Sequence, residues 1–183
     1  MVLKAAKRKT KERKKRLARL SHHLSTASAR KKIAIVLSLF NEEICTQLKE
    51  GALCALRDNG YVANDVAVFE VAGAFEIPFL SQQVARTGLY AGVVALGCVI
   101  RGDTPHFEYV CRAVTDGCLR VGLDTGCPVA FGVITVNNLE QARERAQQND
   151  CNKGKEAVLA LIDTLSTLET LSWVSDARQE NSL

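Results

Sequence analysis

Four short apolar runs alternate with helix-patterned segments along residues 33–171, and this alternation leaves the chain few architectures to choose from. The runs are IAIVLSLF (33–40), VAVFEVA (66–72), AGVVALGCVI (91–100) and PVAFGVIT (128–135). They are apolar nearly throughout rather than at every second position, which suits strands buried on both faces. Parallel pairing with right-handed helical crossovers is the arrangement that buries such strands when the connections are short.

The segments between the runs carry helix signals. Asn41 stands where it can cap a helix running to about Asn59–Gly60, with Ile44, Leu48, Leu53 and Leu56 as its apolar positions. Gly73 breaks the second run, and Pro78 sits early in a helix ending near Gly88. Residues from Phe107 to about Gly122 read as helix, with Gly117 a weak point. Asn137 with Glu140 resembles a capping box for a helix over 138–148. A last helix starts near Asn152, carries Val158, Leu161, Ile162, Leu165 and Leu168, and fades past Leu171 into polar residues. The expected fold is an α/β three-layer αβα sandwich around a four-stranded parallel, flavodoxin-like sheet in order 2-1-3-4. In such sheets ligands bind beyond the C-terminal strand ends where strand order reverses. That rule selects Phe40–Asn41, Gly73–Glu76 and Cys98–His106.

Composition narrows the setting. Hydrophobic residues make up 47% of the 183, enough for a core without disulfides or metals. No apolar run approaches the roughly 20 residues that cross a bilayer. The N-terminus is charged from Lys4 onward with no apolar signal region, and the seven cysteines are odd in number with no CxxC pair. These features favour a cytoplasmic protein with reduced thiols over a secreted or zinc-binding one. Residues 1–32 hold 13 of the 24 Lys and Arg and one acid, Glu12, while the rest holds 11 against 19 acids. Three readings of this arm stay open: a solvated tail, a contact for RNA or another polyanion, and an organellar transit peptide. The domain limits are then 1–32 for the arm, 33–172 for the folded domain and 173–183 for a polar tail.

The densest chemistry lies in RGDTPH at 101–106. Thr104 can cap a helix whose first residue is Pro105, placing His106 in the first turn. There the helix dipole favours a neutral imidazole able to accept a proton, and free N–H groups beside Gly102 offer an anion pocket. The plainer reading is a capped helix start with an exposed histidine. Phe75 and Glu76 in GAFEIP, and Phe40, stand at strand ends as stacking platforms and a hydroxyl-binding carboxylate, or as packing and a helix-start charge. Phe131 lies within the fourth run, where core is the default. Arg143 and Arg145 share one helix, and periodicity cannot choose between them as anion ligands. No GxGxxG or GxxxxGK[ST] is present, and only His22 and His23 lie near each other.

Taken together, SLFN (38–41), GAFEIPF (73–79), ALGCVIRGDTPHFEYVC (95–111), PVAFGVIT, LEQARERA (139–146) and NKG (152–154) resemble the 6,7-dimethyl-8-ribityllumazine synthase family, over about residues 33–168. The resemblance implies a transferase of riboflavin biosynthesis that condenses 5-amino-6-(D-ribitylamino)uracil with 3,4-dihydroxy-2-butanone 4-phosphate, without metal or cofactor. It makes His106 the general acid/base and Phe40 the stacking partner of the pyrimidine. Ala74, Phe75 and Glu76 line the ribityl side, Cys98, Val99 and Ile100 offer backbone to the uracil, and Asp103 and Thr104 border the phosphate. It selects Arg145 as the phosphate-binding arginine and takes Phe131 from a neighbouring subunit of a homo-oligomer built from pentamers.

Three features depart from the family pattern: Asp103, whose carboxylate would repel phosphate and so is expected to serve through backbone; the loop QQNDC (147–151); and the long basic arm. The basic arm and the altered 147–151 loop motivate an alternative, a catalytically weak shell or flavin-binding scaffold whose arm binds RNA or acidic cargo.

Overall fold

The computed structural model describes residues 32–180. The readings made for the basic arm fall almost entirely outside them. Strands β1 (Lys32–Ser38), β2 (Val66–Val71), β3 (Tyr90–Ile100) and β4 (Val129–Val136) form one parallel sheet in order β2-β1-β3-β4. Between and after them run α1 (Glu42–Asp58), α2 (Ile77–Arg86), α3 (His106–Thr125), α4 (Leu139–Ala146) and α5 (Lys153–Glu180). This is the three-layer αβα sandwich and the strand order expected from the alternation.

The strands divide their side chains between two cores. Ile33, Ile35 and Leu37 of β1 pack with Leu96 and Ile134 under α1 and α5, through Ile44, Leu48, Val158 and Leu161. Ala34 and Val36 point the other way, joining Val93, Ala95 and Val133 beneath α2 and α3, through Ile77, Val84, Val114 and Cys118. The alternation is the pleat itself. Each large aliphatic side chain withdrawn from water contributes on the order of 2 kcal/mol before entropy is counted.

Several local expectations are corrected. The first strand stops at Ser38, not residue 40, because Asn41 adopts the left-handed region at φ 60° and turns the chain. Asn41 occupies the cap position of α1, but its side chain does not cap; its amide Nδ2 donates to the Cys98 carbonyl at 2.9 Å instead. Gly117 is not a weak point. α3 passes through it unbroken, and a β-carbon there would lie 2.6 Å from Pro78 Cβ, so the glycine lets α2 and α3 approach. The cap sits one residue later than expected, at Asn138, without the reciprocal bond of a capping box. Asn138 Oδ1 accepts from Gln141 N–H at 2.9 Å, and Gln141 Oε1 accepts from Asn137 N–H at 2.9 Å. The last helix continues beyond Leu171 to Glu180.

Candidate active site

Three strand ends meet at the switch point between β1 and β3. The pairing of β1 with β3 stops at Leu37–Leu96, while β3 runs on to Ile100, paired there only with β4. Past Leu96, one backbone edge of β3 therefore faces the crevice above β1, and this is where Cys98, Val99 and Ile100 lie. The Asn41 amide closes its lower end through the Cys98 carbonyl. Phe40, lifted by the left-handed turn, is 69% exposed at the rim. The Cys45 thiol donates to the Phe40 carbonyl at 3.2 Å and fixes that turn from below.

At the end of β2, Gly73 leads into a single 3-10 turn, Ala74–Glu76. Ala74 is buried in the core, so it can meet a ligand only through its backbone, whereas Phe75 is 62% exposed. Glu76 is exposed, and a β-carbon on Gly73 would come within 3.1 Å of its Oε2, so the carboxylate lies back over the glycine.

The segment 101–106 differs from its expected form in one respect. α3 begins at His106, Pro105 holds the cap position, and no side chain caps this end, so Thr104 is not the cap. An uncapped helix N-terminus leaves the His106 and Phe107 N–H groups for water or an anion, with the Glu108 carboxylate in the same turn. His106, Thr104 and Asp103 are all exposed there.

Arg101, which sequence reasoning passed over, organises this mouth. Its N–H donates to Val136 O at 2.9 Å, its Nε donates to Asn137 Oδ1 at 3.2 Å, its Nη1 pairs with Glu108, and its guanidinium lies 4.3 Å over the Phe107 ring. It thus ties the ends of β3 and β4 to the first turn of α3. The Arg101 guanidinium holds the Glu108 carboxyl below the usual carboxylate range. Because that pKa is lowered on folding, the pair's small contribution is present above the ordinary Glu value and lost as pH falls below it through the lowered folded value. Replacing Arg101 with Gln should move the Glu108 titration, followed by NMR, up toward the ordinary value; an unmoved titration would remove Arg101 as its cause.

Phe131 and Arg145 stand elsewhere. Phe131 pairs with Ala95, five residues below the Val136–Ile100 pair, which is about 16 Å down the strand from the sheet's C-terminal edge. It is not a core residue: it belongs to the edge strand and is 42% exposed. Arg145 and Phe131 line an open cleft of about 300 Å³ between β4 and α5, whose described lining includes neither Thr104 nor His106. The structure also separates the two arginines. Arg143 reaches across to Glu43 of α1 at 3.5 Å, while Arg145 donates to Gln141 O at 3.0 Å and stays on the cleft. Lys153, the lysine of NKG, lines the same cleft and pairs with Glu156 at 2.7 Å. No periodicity singles it out, and its quoted motif was the only available signal.

The predicted residues therefore fall into two groups on one chain. Phe40, Ala74–Glu76, Cys98–Ile100 and Asp103–His106 border the switch point, and Phe131 and Arg145 sit on the β4–α5 cleft. All seven cysteines are free thiols. Burial pushes Cys98 and Cys118 up to about 12 and Cys45 up to about 11, so none of these three supplies a thiolate near neutral pH. Among the described residues no cluster of His, Cys, Asp and Glu could hold a metal ion, and no helix is long and apolar enough to cross a membrane. The sequence profile of one family, 6,7-dimethyl-8-ribityllumazine synthase, matches residues 30–169, which include both groups of site residues. The chain belongs to the 6,7-dimethyl-8-ribityllumazine synthase family.

Proposed function

We propose that the chain condenses 5-amino-6-(D-ribitylamino)uracil with 3,4-dihydroxy-2-butanone 4-phosphate to give 6,7-dimethyl-8-ribityllumazine, phosphate and water. The observation that carries this reading is that two exposed aromatic rings, a carboxylate and a histidine follow the strand ends at one switch point, beside an uncapped helix N-terminus. A flat heterocycle stacks on Phe40, with the β3 backbone at its polar edge. Glu76 accepts hydrogen bonds from the ribityl hydroxyls next to Phe75. The reaction joins an amine to a carbonyl, eliminates phosphate and closes a ring. Each step needs protons moved between held partners, with one water lost on joining the amine to the carbonyl and a second on closing the ring, so positioning and one acid/base group carry most of it. His106 takes that role from the first turn of α3, with Thr104 and the neighbouring N–H groups beside the phosphate and the Asp103 side chain turned from it.

Arg145 lies on the other cleft, so we propose that it and Phe131 complete the crevice of a neighbouring copy, in a ring of five. Phosphate recognition then draws on two chains, with Lys153 beside Arg145. A complementation experiment tests this arrangement. His106→Ala and Arg145→Ala chains, each weak alone, are unfolded together, mixed in equal amounts and refolded. A ring with random order rebuilds an intact site at roughly a quarter of its interfaces and should recover activity in that proportion. No recovery would place Arg145 in the same chain's site. Absence of lumazine formation above the spontaneous rate by the unaltered protein would overturn the activity itself.

A further inference from the structure

Asn152 is wholly buried, which is rare for asparagine, and its side chain is fully engaged. Its Nδ2 donates to Ala146 O at 2.7 Å and to Gln47 O at 3.1 Å, and its Oδ1 accepts from Lys155 N–H at 3.0 Å. The three partners belong to three helices: the last turn of α4, the second turn of α1 and the first turn of α5. Two glycines make room for this clasp. A β-carbon on Gly51 would lie 2.2 Å from Asn152 Oδ1, and one on Gly154 would lie 2.0 Å from Leu48 O.

Asn152 caps α5, its Oδ1 taking the Lys155 N–H and its carbonyl the Glu156 N–H at 3.0 Å, and it covers the last carbonyl of α4, so helix ends that an apolar side chain would leave unpaired are satisfied. What the amide adds beyond capping is direction. Ala146, whose carbonyl it holds, directly follows Arg145, and Lys153 directly follows Asn152 itself. Both cations line the β4–α5 cleft.

We infer that Asn152 is a positioning residue for anion binding, fixing Arg145 and Lys153 relative to each other so that one phosphate engages both. The inference rests on the reading of that cleft as the phosphate half-site. Lys153 is paired with Glu156, and Arg145 hydrogen-bonds its own helix backbone. An arriving phosphate must draw both cations from these partners, and it does so only if they present to the same point. A shift of about an ångström between α4 and α5 breaks that coincidence while leaving the aromatic crevice intact.

Two variants and one measurement on the unaltered protein test this. Asn152→Ala removes the clasp. Gly51→Ala keeps the amide but displaces it, while adding a residue that favours helix. In either variant the KM for the phosphorylated substrate should rise roughly tenfold, as should the dissociation constant for inorganic phosphate, with the KM for the aminopyrimidine unchanged. A purely structural role would lower the amount of active enzyme and leave both KM values alone; that outcome overturns the inference.

Should neither variant fold, hydrogen exchange in the unaltered protein decides. Opening of the clasp and release of the anion are linked, so saturating inorganic phosphate should slow exchange at the Lys155 amide. Phosphate that binds without slowing it overturns the inference. Unaltered protein that binds no phosphate overturns instead the reading of the cleft.

Discussion

Replacing His106 with alanine should lower kcat by about 10²-fold, with the KM of both substrates changed by less than about threefold. The expectation follows from where the side chain sits. His106 is exposed at the first position of α3, so its removal opens no cavity and disturbs no core. On the proposed reading, phosphate contacts come from backbone N–H groups of that turn and from Arg145 and Lys153, none of which the substitution removes. The aromatic platforms at Phe40 and Phe75 lie on other strand ends. The loss is therefore confined to proton transfer, whose usual worth sets the figure. The fall stops at the spontaneous rate of the two substrates, which the assay must record alongside. A tenfold rise in KM with kcat intact would recast His106 as a binding residue and leave the acid/base role without an owner.

The second large effect is structural. Gly154→Ala should cost about 3 kcal/mol, read as a lower urea midpoint at fixed protein concentration with the slope unchanged. The new β-carbon would stand 2.0 Å from the Leu48 carbonyl oxygen and 2.8 Å from its carbon. These are main-chain atoms of α1, so no rotamer change relieves them, and α5 must shift from α1 as a body. Alanine's better helix propensity returns at most about 1 kcal/mol, less at the second residue of a helix. Gly102→Ala is the matched control, because a β-carbon there meets nothing within 4 Å and should leave the midpoint in place. An unmoved midpoint for Gly154→Ala would mean that α1 and α5 separate freely, and the tight seat ascribed to Asn152 would fall with it.

The layering and strand order were legible because they rest on long apolar runs, where burial on two faces leaves one plausible arrangement. What escaped the sequence depends on contacts distant along the chain. The end of β1 is decided by Asn41, whose left-handed backbone is held by a carbonyl 57 residues away. Asn137 and Asn138 are equally good caps as residue types, and the choice between them falls to Asn138 because β4 extends to Val136. Thr104 has the right chemistry for a cap, but the chain enters α3 through Pro105 without using it.

The site residues at strand ends could be named from topology alone. The division of the set into two clefts could not, since it depends on register: only the pairing of Phe131 with Ala95 shows how far that ring lies from the C-terminal edge. Arg101 was invisible for the same reason, its partner Asn137 being brought close by the β3–β4 pairing.

The position of β4 at the border of the sheet has a consequence for the life of the chain in the cell. VAFGVITV is β-branched, uncharged and free of proline, and its outer side offers a row of backbone donors and acceptors. On the proposed ring, a newly made chain passes through an interval, after folding and before meeting its neighbours, in which it can template the wrong pairing. Synthesis rate and chaperone supply will set how many chains survive that interval, so yield in a host cell should depend on dosage more steeply than the stability of the finished protein would suggest.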